Sequence, residues 1–241
     1  MKYTFLQNGD GALTVQFQKE ISKEVNASVT ALASLVQDEG IEGVVELIPT
    51  FTSLTVLYDC TVIKSKNLKK KLDALISKIT IGGKSAVKVW DIPVCYDDEF
   101  ALDIENVCSH TGLSKEEIVN IHTSKPYLIY MLGFLPGFAY LGGMDERLFT
   151  PRLQNPRLEI FKGAVGIGGE QTGIYPIASP GGWQLIGKTP VSVYDPDAEK
   201  PILYDAGDYI QFVSVSKTEY DEIEKQISEG TYKVNCREVE L

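Results

Sequence analysis

The sequence predicts an α+β protein in two parts: a small α+β sandwich over residues 1–85, then a β-barrel unit over residues 86–241. Three observations predict it. Strand and helix signals follow the order ββαββα through the first third, the pattern of an antiparallel sheet with helices on one face. The helical period disappears after residue 132, and short β-rich runs separated by Gly and Pro continue to Val215, as in a closed or nearly closed barrel. Twelve of the 21 glycines fall between Gly133 and Gly187, among aromatic and branched residues. A flexible linker is poor in such side chains, so this region predicts tight turns, bulges and close backbone approaches.

Residues 3–6 and 12–17 read as strands flanking the turn Asn8-Gly9-Asp10-Gly11. Val25, Val29, Leu32, Ala33 and Val36 recur at helical spacing, with Gly40 as the stop. Residues 43–48 and 53–58 form two β-rich runs around Pro49. A second helix places Leu68, Leu72, Leu75, Ile76 and Ile79 on one face and lysines on the other. The break at Ile81-Gly82-Gly83-Lys84 sets the boundary near residue 85. Residues 87–96 open the second part as a strand, and 102–109 and 115–123 read as helices. The latter begins with a capping box from Ser114 to Glu117. Residues 126–132 are a further apolar strand, and 217–228 form a late helix.

A net charge of −10 disfavours nucleic acid and anionic membranes as partners. Four cysteines without a CxxC pair and two histidines predict no metal site, and free thiols in a cytoplasmic protein. The N-terminal residues lack the apolar core of a signal peptide, and no run approaches 18 apolar residues.

The candidate site residues lie mostly in the glycine-rich region. Gly182 to Thr189 matches a phosphate-loop pattern letter for letter. Pro190 and the strand-like Val191-Ser192-Val193-Tyr194 follow where a helix is required, so the segment reads as a strand. Residues 163–173 (GAVGIGGEQTG) suit either an anion cradle or a barrel strand with glycine bulges and a turn. Arg152 and Arg157, in Pro-Arg-x-x-x-Pro-Arg, suit the grip of an anion. His122 is a candidate acid–base group or a helix-end histidine, and His110 reads as structural. Gln171, Thr172, Tyr175 and Trp183 carry compact polar tips suited to a substrate pocket. Phe134, Phe138 and Tyr140 suit an aromatic docking face for a partner.

The stretch from His122 through Gly133-Phe134-x-Pro136-Gly137-Phe138-Ala139-Tyr140, Pro151-Arg152, Pro156-Arg157 and Gln171-Thr172-Gly173-Ile174-Tyr175-Pro176 to Ser179-Pro180-Gly181-Gly182-Trp183 resembles one family. It is the family of the 5-oxoprolinase B subunits, allophanate hydrolase subunit 1 and Kip-type histidine kinase inhibitors, related to carboxyltransferase subdomains C and D. Gly9-Asp10-x-Ala12-Leu13, Glu46-x-x-Pro49 and Ile92-Pro93-Val94-x-Tyr96 extend the resemblance over nearly the whole chain. It implies a cyclophilin-like barrel after the N-terminal domain. It implies ATP-dependent opening of 5-oxoproline to glutamate with the A and C subunits as partners, and no activity alone. Inhibition of a sensor histidine kinase, or a part in an allophanate hydrolase or urea carboxylase-type enzyme, are the alternatives. His122, Arg152, Arg157, Gln171, Thr172 and Tyr175 fall at its matching pocket positions.

Overall fold

In the computed structural model, which describes residues 2–18, 21–79 and 86–240, the turn at Gly9 joins β1 (Thr4–Asn8) to β2 (Ala12–Gln16). Next come α1 (Lys23–Glu39), β3 (Val44–Pro49), β4 (Ser53–Tyr58) and α2 (Ser65–Ile76). Ser22 caps α1 by accepting the Val25 amide, and Gly40 ends it in the left-handed region at φ 57°. The four strands form an antiparallel sheet in the order β1-β2-β4-β3. Strand alternation sends Leu13, Val15, Leu54, Val56 and Tyr58 to one face. There they pack with Val29, Leu32 and Val36 of α1 and Leu68, Leu72 and Leu75 of α2. Each fully buried aliphatic side chain contributes about 1.5–3 kcal/mol, so this face holds the unit together.

Residue contacts divide the chain into two compact units, Met1–Lys84 and Ser85–Leu241. The 81–84 break and residue 85 expected at the boundary lie outside the described residues.

The second unit runs β5 (Ala86–Cys95), α3 (Ile104–Thr111), α4 (Lys115–His122), β6 (Tyr127–Leu132), β7 (Ala139–Gly142), a 3-10 turn (Glu146–Leu148), β8 (Arg157–Ile160), β9 (Ala164–Gly168) and β10 (Gln171–Ile174). It continues through β11 (Ser179–Gly181), β12 (Gln184–Lys188), β13 (Tyr209–Val215), α5 (Lys217–Ser228) and β14 (Asn235–Glu240). The main sheet has the order β10-β9-β12-β5-β13-β6-β7, with β14 added beside β5. β13 runs parallel to β5, from Tyr209 beside Val89 to Val215 beside Cys95. The end strands β7 and β10 lie side by side, so the sheet is nearly closed, compatible with a cyclophilin-like barrel. β8 and β11 pair separately as a two-stranded ribbon.

Two helices begin at capping boxes: Ser114 with Glu117 at α4, as the sequence predicts, and Ser216 with Glu219 at α5, which the structure adds. The first helix of this unit starts two residues later than expected, at Ile104, because the Asp103 carboxylate and amide are both engaged with Leu185 of β12. β14 has no counterpart among the elements the sequence predicts. Its run NCREVE is mostly polar, so no apolar period marks it.

Candidate functional site

The site is built from aromatic residues that three loops bring together. Between β6 and β7 the chain reverses through residues 133–138. The Leu135 amide donates to Gly133 O at 2.7 Å across Phe134, whose φ is 65°. This is a γ-turn of the rare positive-φ form, a strained conformation for a bulky residue. It leaves the Phe134 ring 66% exposed and edge-on to Phe138, at 5.4 Å between centroids. Phe138 is the hub of the cluster, edge-on to Tyr140 (5.2 Å), Trp183 (5.6 Å) and Tyr175 (5.9 Å).

Trp183 explains the glycines of β9 and β10. A methyl group at Gly168 would overlap the indole, and methyls at Gly166 and Gly173 would press on the same side chain. These strands are bare where the indole lies, so the glycine-rich run is a bed for Trp183 in a barrel hairpin. Above the indole, Phe134, Phe138, Tyr140, Arg152, Tyr175, Gly181, Gly182 and Trp183 enclose a pocket of about 120 Å³. Gly181 is bare for a similar reason: a Cβ there would lie 2.5 Å from the Tyr175 hydroxyl.

Arg152 stands on a backbone tied at three places. Thr150 exchanges amide bonds with Gly169, Pro151 O accepts from Gln184 Nε2 at 2.9 Å, and the Leu153 amide donates to Gly182 O at 2.7 Å. Its guanidinium lies 5.9 Å from the Trp183 ring, within cation–π range. Three of the four arginines face carboxylates: Arg147 with Asp145, Arg157 with Asp103 and Arg237 with Asp91. Arg152 makes no hydrogen bond or ion pair among the described residues.

Arg157 departs from the sequence expectation of a second anion-gripping fork. Its Nη2 donates to Asp103 Oδ1 at 2.7 Å, while Asp103 Oδ2 accepts the Leu185 amide at 2.7 Å. The arginine thus fastens β8 to the turn before α3 and to β12, and it does not line the pocket. It still contributes field. Burial raises the Tyr175 phenol above its ordinary value, while the Trp183 amide and the charges of Arg152 and Arg157 pull it back.

His122 departs further. It is fully buried, stacked on Phe212 at 4.5 Å. Its Nδ1 lies 2.7 Å from the Tyr96 hydroxyl and its Nε2 2.8 Å from Thr172 Oγ1. Thr172 Oγ1 spends its only proton on Gly166 O at 3.0 Å, so it must accept from Nε2–H. Nδ1 therefore accepts from Tyr96. Both ring nitrogens are occupied, and burial pushes the imidazole down to about 3. The ring is a neutral core group joining α4 to β10, outside the pocket. Thr172 belongs to this chain of bonds rather than to the pocket, and Gln171 sits half-buried at the start of β10, also outside it.

The structure thus gathers Arg152, Tyr175 and Trp183, read as site residues, with Phe134, Phe138 and Tyr140, read as a docking face. Only Phe134 among the last three is exposed; Phe138 is buried. Asp103 and Tyr96 are not among the site residues the sequence predicts; Tyr96 enters there only as the end of the Ile92-Pro93-Val94-x-Tyr96 motif, and nothing local marks Asp103. The lysine of the phosphate-loop lookalike, Lys188, ends β12 with its ammonium over Phe100 (5.2 Å), Phe161 (5.6 Å) and Tyr220 (5.7 Å). The pocket residues do not fit a triphosphate: one unpaired cation lines it, and no glycine-rich loop leading into a helix does. Among the described residues no His/Cys/Asp/Glu group suits a metal, and no helix is long and apolar enough to cross a membrane.

A nearly closed barrel-like sheet carrying an aromatic pocket with one uncommitted guanidinium, in a chain that also holds a small α+β unit, defines a two-unit α+β protein. The chain belongs to the family of the carboxyltransferase domain, subdomain C and D, whose pattern matches residues 3–204. It is 41% identical over 230 residues to the 5-oxoprolinase B subunit of Bacillus subtilis, covering 91% of this chain and 96% of that protein. The crystal structure of TTHA0988 matches with a TM-score of 0.76 and 35% identity, over 85% of this chain and 40% of that one. The urea carboxylase of Kluyveromyces lactis shares the fold at a TM-score of 0.82 and 23% identity, over 99% of this chain and 24% of that one.

Proposed function

We propose that the chain is the B subunit of an ATP-dependent 5-oxoprolinase, which opens 5-oxo-L-proline to L-glutamate together with the A and C subunits. The observation that carries this reading is the near-full-length match to a 5-oxoprolinase B subunit. We read the two units as separate domains, 1–85 and 86–241, the second cyclophilin-like, in an intracellular protein.

The chemistry agrees with a divided enzyme. A lactam amide resists attack by water at neutral pH, and ATP supplies the driving force for its activation. We assign the nucleotide to the partner subunits; the Arg152 pocket offers a triphosphate a single unpaired cation. This chain's part is to hold the substrate carboxylate on Arg152 and its ring against the aromatic walls, fixing orientation for the opening step. His122 moves no proton in this scheme, since both of its nitrogens are engaged in the core.

The test is reconstitution. Glutamate release from 5-oxo-L-proline and ATP is expected with all three subunits and lost when this chain is omitted. Full activity without it overturns the reading. In the active complex, Arg152→Gln is expected to lower kcat/KM about ten- to a hundredfold, the loss of one charge-assisted pair.

The exposed Phe134 ring favours a second reading, docking on the helical bundle of a sensor histidine kinase. Autophosphorylation measured with the wild-type chain and with Phe134→Ala decides it. Equal rates with and without the wild-type chain remove it.

A further inference from the structure

We infer that the Arg152 pocket binds one small carboxylate carried on a flat ring, and that this chain does so alone, before any partner subunit is present. The choice of first ligand rests on the oxoprolinase reading above; the site itself rests on geometry.

Four observations converge on it. The first is charge. In a chain with 33 acidic residues and four arginines, Arg152 is the one arginine left without a carboxylate among the described residues. A guanidinium held uncommitted above a partly enclosed pocket is poised for an external carboxylate. The second is preorganisation. Three main-chain ties fix the residues around Arg152, and Trp183 supports the guanidinium from below. The backbone is thus ordered before any ligand arrives. The third is shape. The walls are the faces and edges of Phe138, Tyr140, Tyr175 and Trp183, which suit a planar body. The fourth is size. A pocket of about 120 Å³ is small, which suits an amino-acid-sized ring better than a nucleotide.

Asp103 makes the site single-handed. It holds Arg157 by Nη2, away from the pocket lining, so that lining offers one cation for one anionic group. A dianionic or polyphosphate ligand finds no second partner there.

The experiment uses the isolated full-length chain. Its indole N–H resonances are followed while 5-oxo-L-proline, 2-pyrrolidinone, benzoate, 2-furoate, cyclopentanecarboxylate, acetate and ATP are added in turn. The expected result is saturable movement of the Trp183 signal with 5-oxo-L-proline. Binding of 2-pyrrolidinone, the same ring without the carboxylate, and of acetate, the carboxylate without a ring, is expected to be at least about tenfold weaker. Arg152→Gln is expected to reduce the affinity for 5-oxo-L-proline to that of 2-pyrrolidinone. Its denaturation midpoint is expected to stay unchanged, because the guanidinium is exposed and unpaired. Arg152→Lys keeps the charge without the fork and is expected to fall between the two.

If another ring carboxylate binds in an Arg152-dependent way while 5-oxo-L-proline does not, the site stands and its assignment to 5-oxo-L-proline falls, while the oxoprolinase reading is decided by reconstitution. If no ring carboxylate moves Trp183 up to its solubility limit, or if acetate or ATP binds as well as the rings, the site inference is overturned. That outcome holds whatever the reconstituted complex does.

Discussion

At the scale of single residues, Arg152 and Arg157 show what a sequence motif leaves open. Both follow a proline, five positions apart, and nothing local separates them. The difference comes from Asp103, 54 positions before Arg157, whose carboxylate takes both that guanidinium and the Leu185 amide. Removing a nearly buried partner from such a pair leaves the other charge uncompensated. Asp103→Ala is therefore expected to destabilise the protein by about 3 kcal/mol, read as a fall in the urea midpoint at unchanged slope. His122 gives a second test. Above its ordinary value of 6.5 both folded and unfolded chains hold it neutral. Below that, the unfolded chain takes up a proton that the folded chain refuses until about pH 3. Stability from this group is thus present above 6.5 and declines by about 1.4 kcal/mol per pH unit below it. Urea midpoints measured from about pH 7.5 to about pH 5 are expected to fall, and His122→Gln is expected to flatten that fall. An equal slope in the variant assigns the acid sensitivity elsewhere. The sequence offered His122 as a helix-end or catalytic group; only the fold brings Tyr96, Thr172 and Phe212 around it.

At the scale of elements, legibility followed local chemistry. α4 and α5 begin at Ser114 and Ser216 because a serine and a glutamate three residues on satisfy each other's helix-end groups, and that signal needs no tertiary contact. β4 was visible through its β-rich run. β14 was not, because a mostly polar edge strand is specified by the neighbour it joins. The glycines of β9 and β10 stand between these cases: their density was plain, but its reason is one distant indole. Gly168→Ala is expected to displace Trp183, shift its emission and cost about 1–3 kcal/mol. Unaltered emission would show that the glycines are not there to seat the indole. Gly40→Ala makes a cleaner measurement. Nothing lies within 4 Å of a Cβ there, so its cost of about 1–2 kcal/mol would come from the left-handed backbone alone.

At the scale of the whole molecule, the two units differ in how far apart in the chain their contacts lie. In the first, strands pair across one turn or, for β2 with β4, across α1 and β3. In the second, Val89 of β5 lies beside Tyr209 of β13, positions 120 apart. Contacts of such separation slow folding, because a long loop must close before the pairing contributes anything. Both tryptophans, Trp90 and Trp183, belong to the second unit. In refolding from urea, tryptophan emission is therefore expected to recover more slowly than far-ultraviolet ellipticity, and coincident traces would refute the difference. During translation the consequence is sharper. β5 leaves the ribosome long before β13 and β14 are made, and its apolar edges stay open meanwhile to any other nascent strand. For this chain the hazardous interval is synthesis, and a chaperone that shields β5 until β13 and β14 emerge is expected to raise the yield of soluble protein.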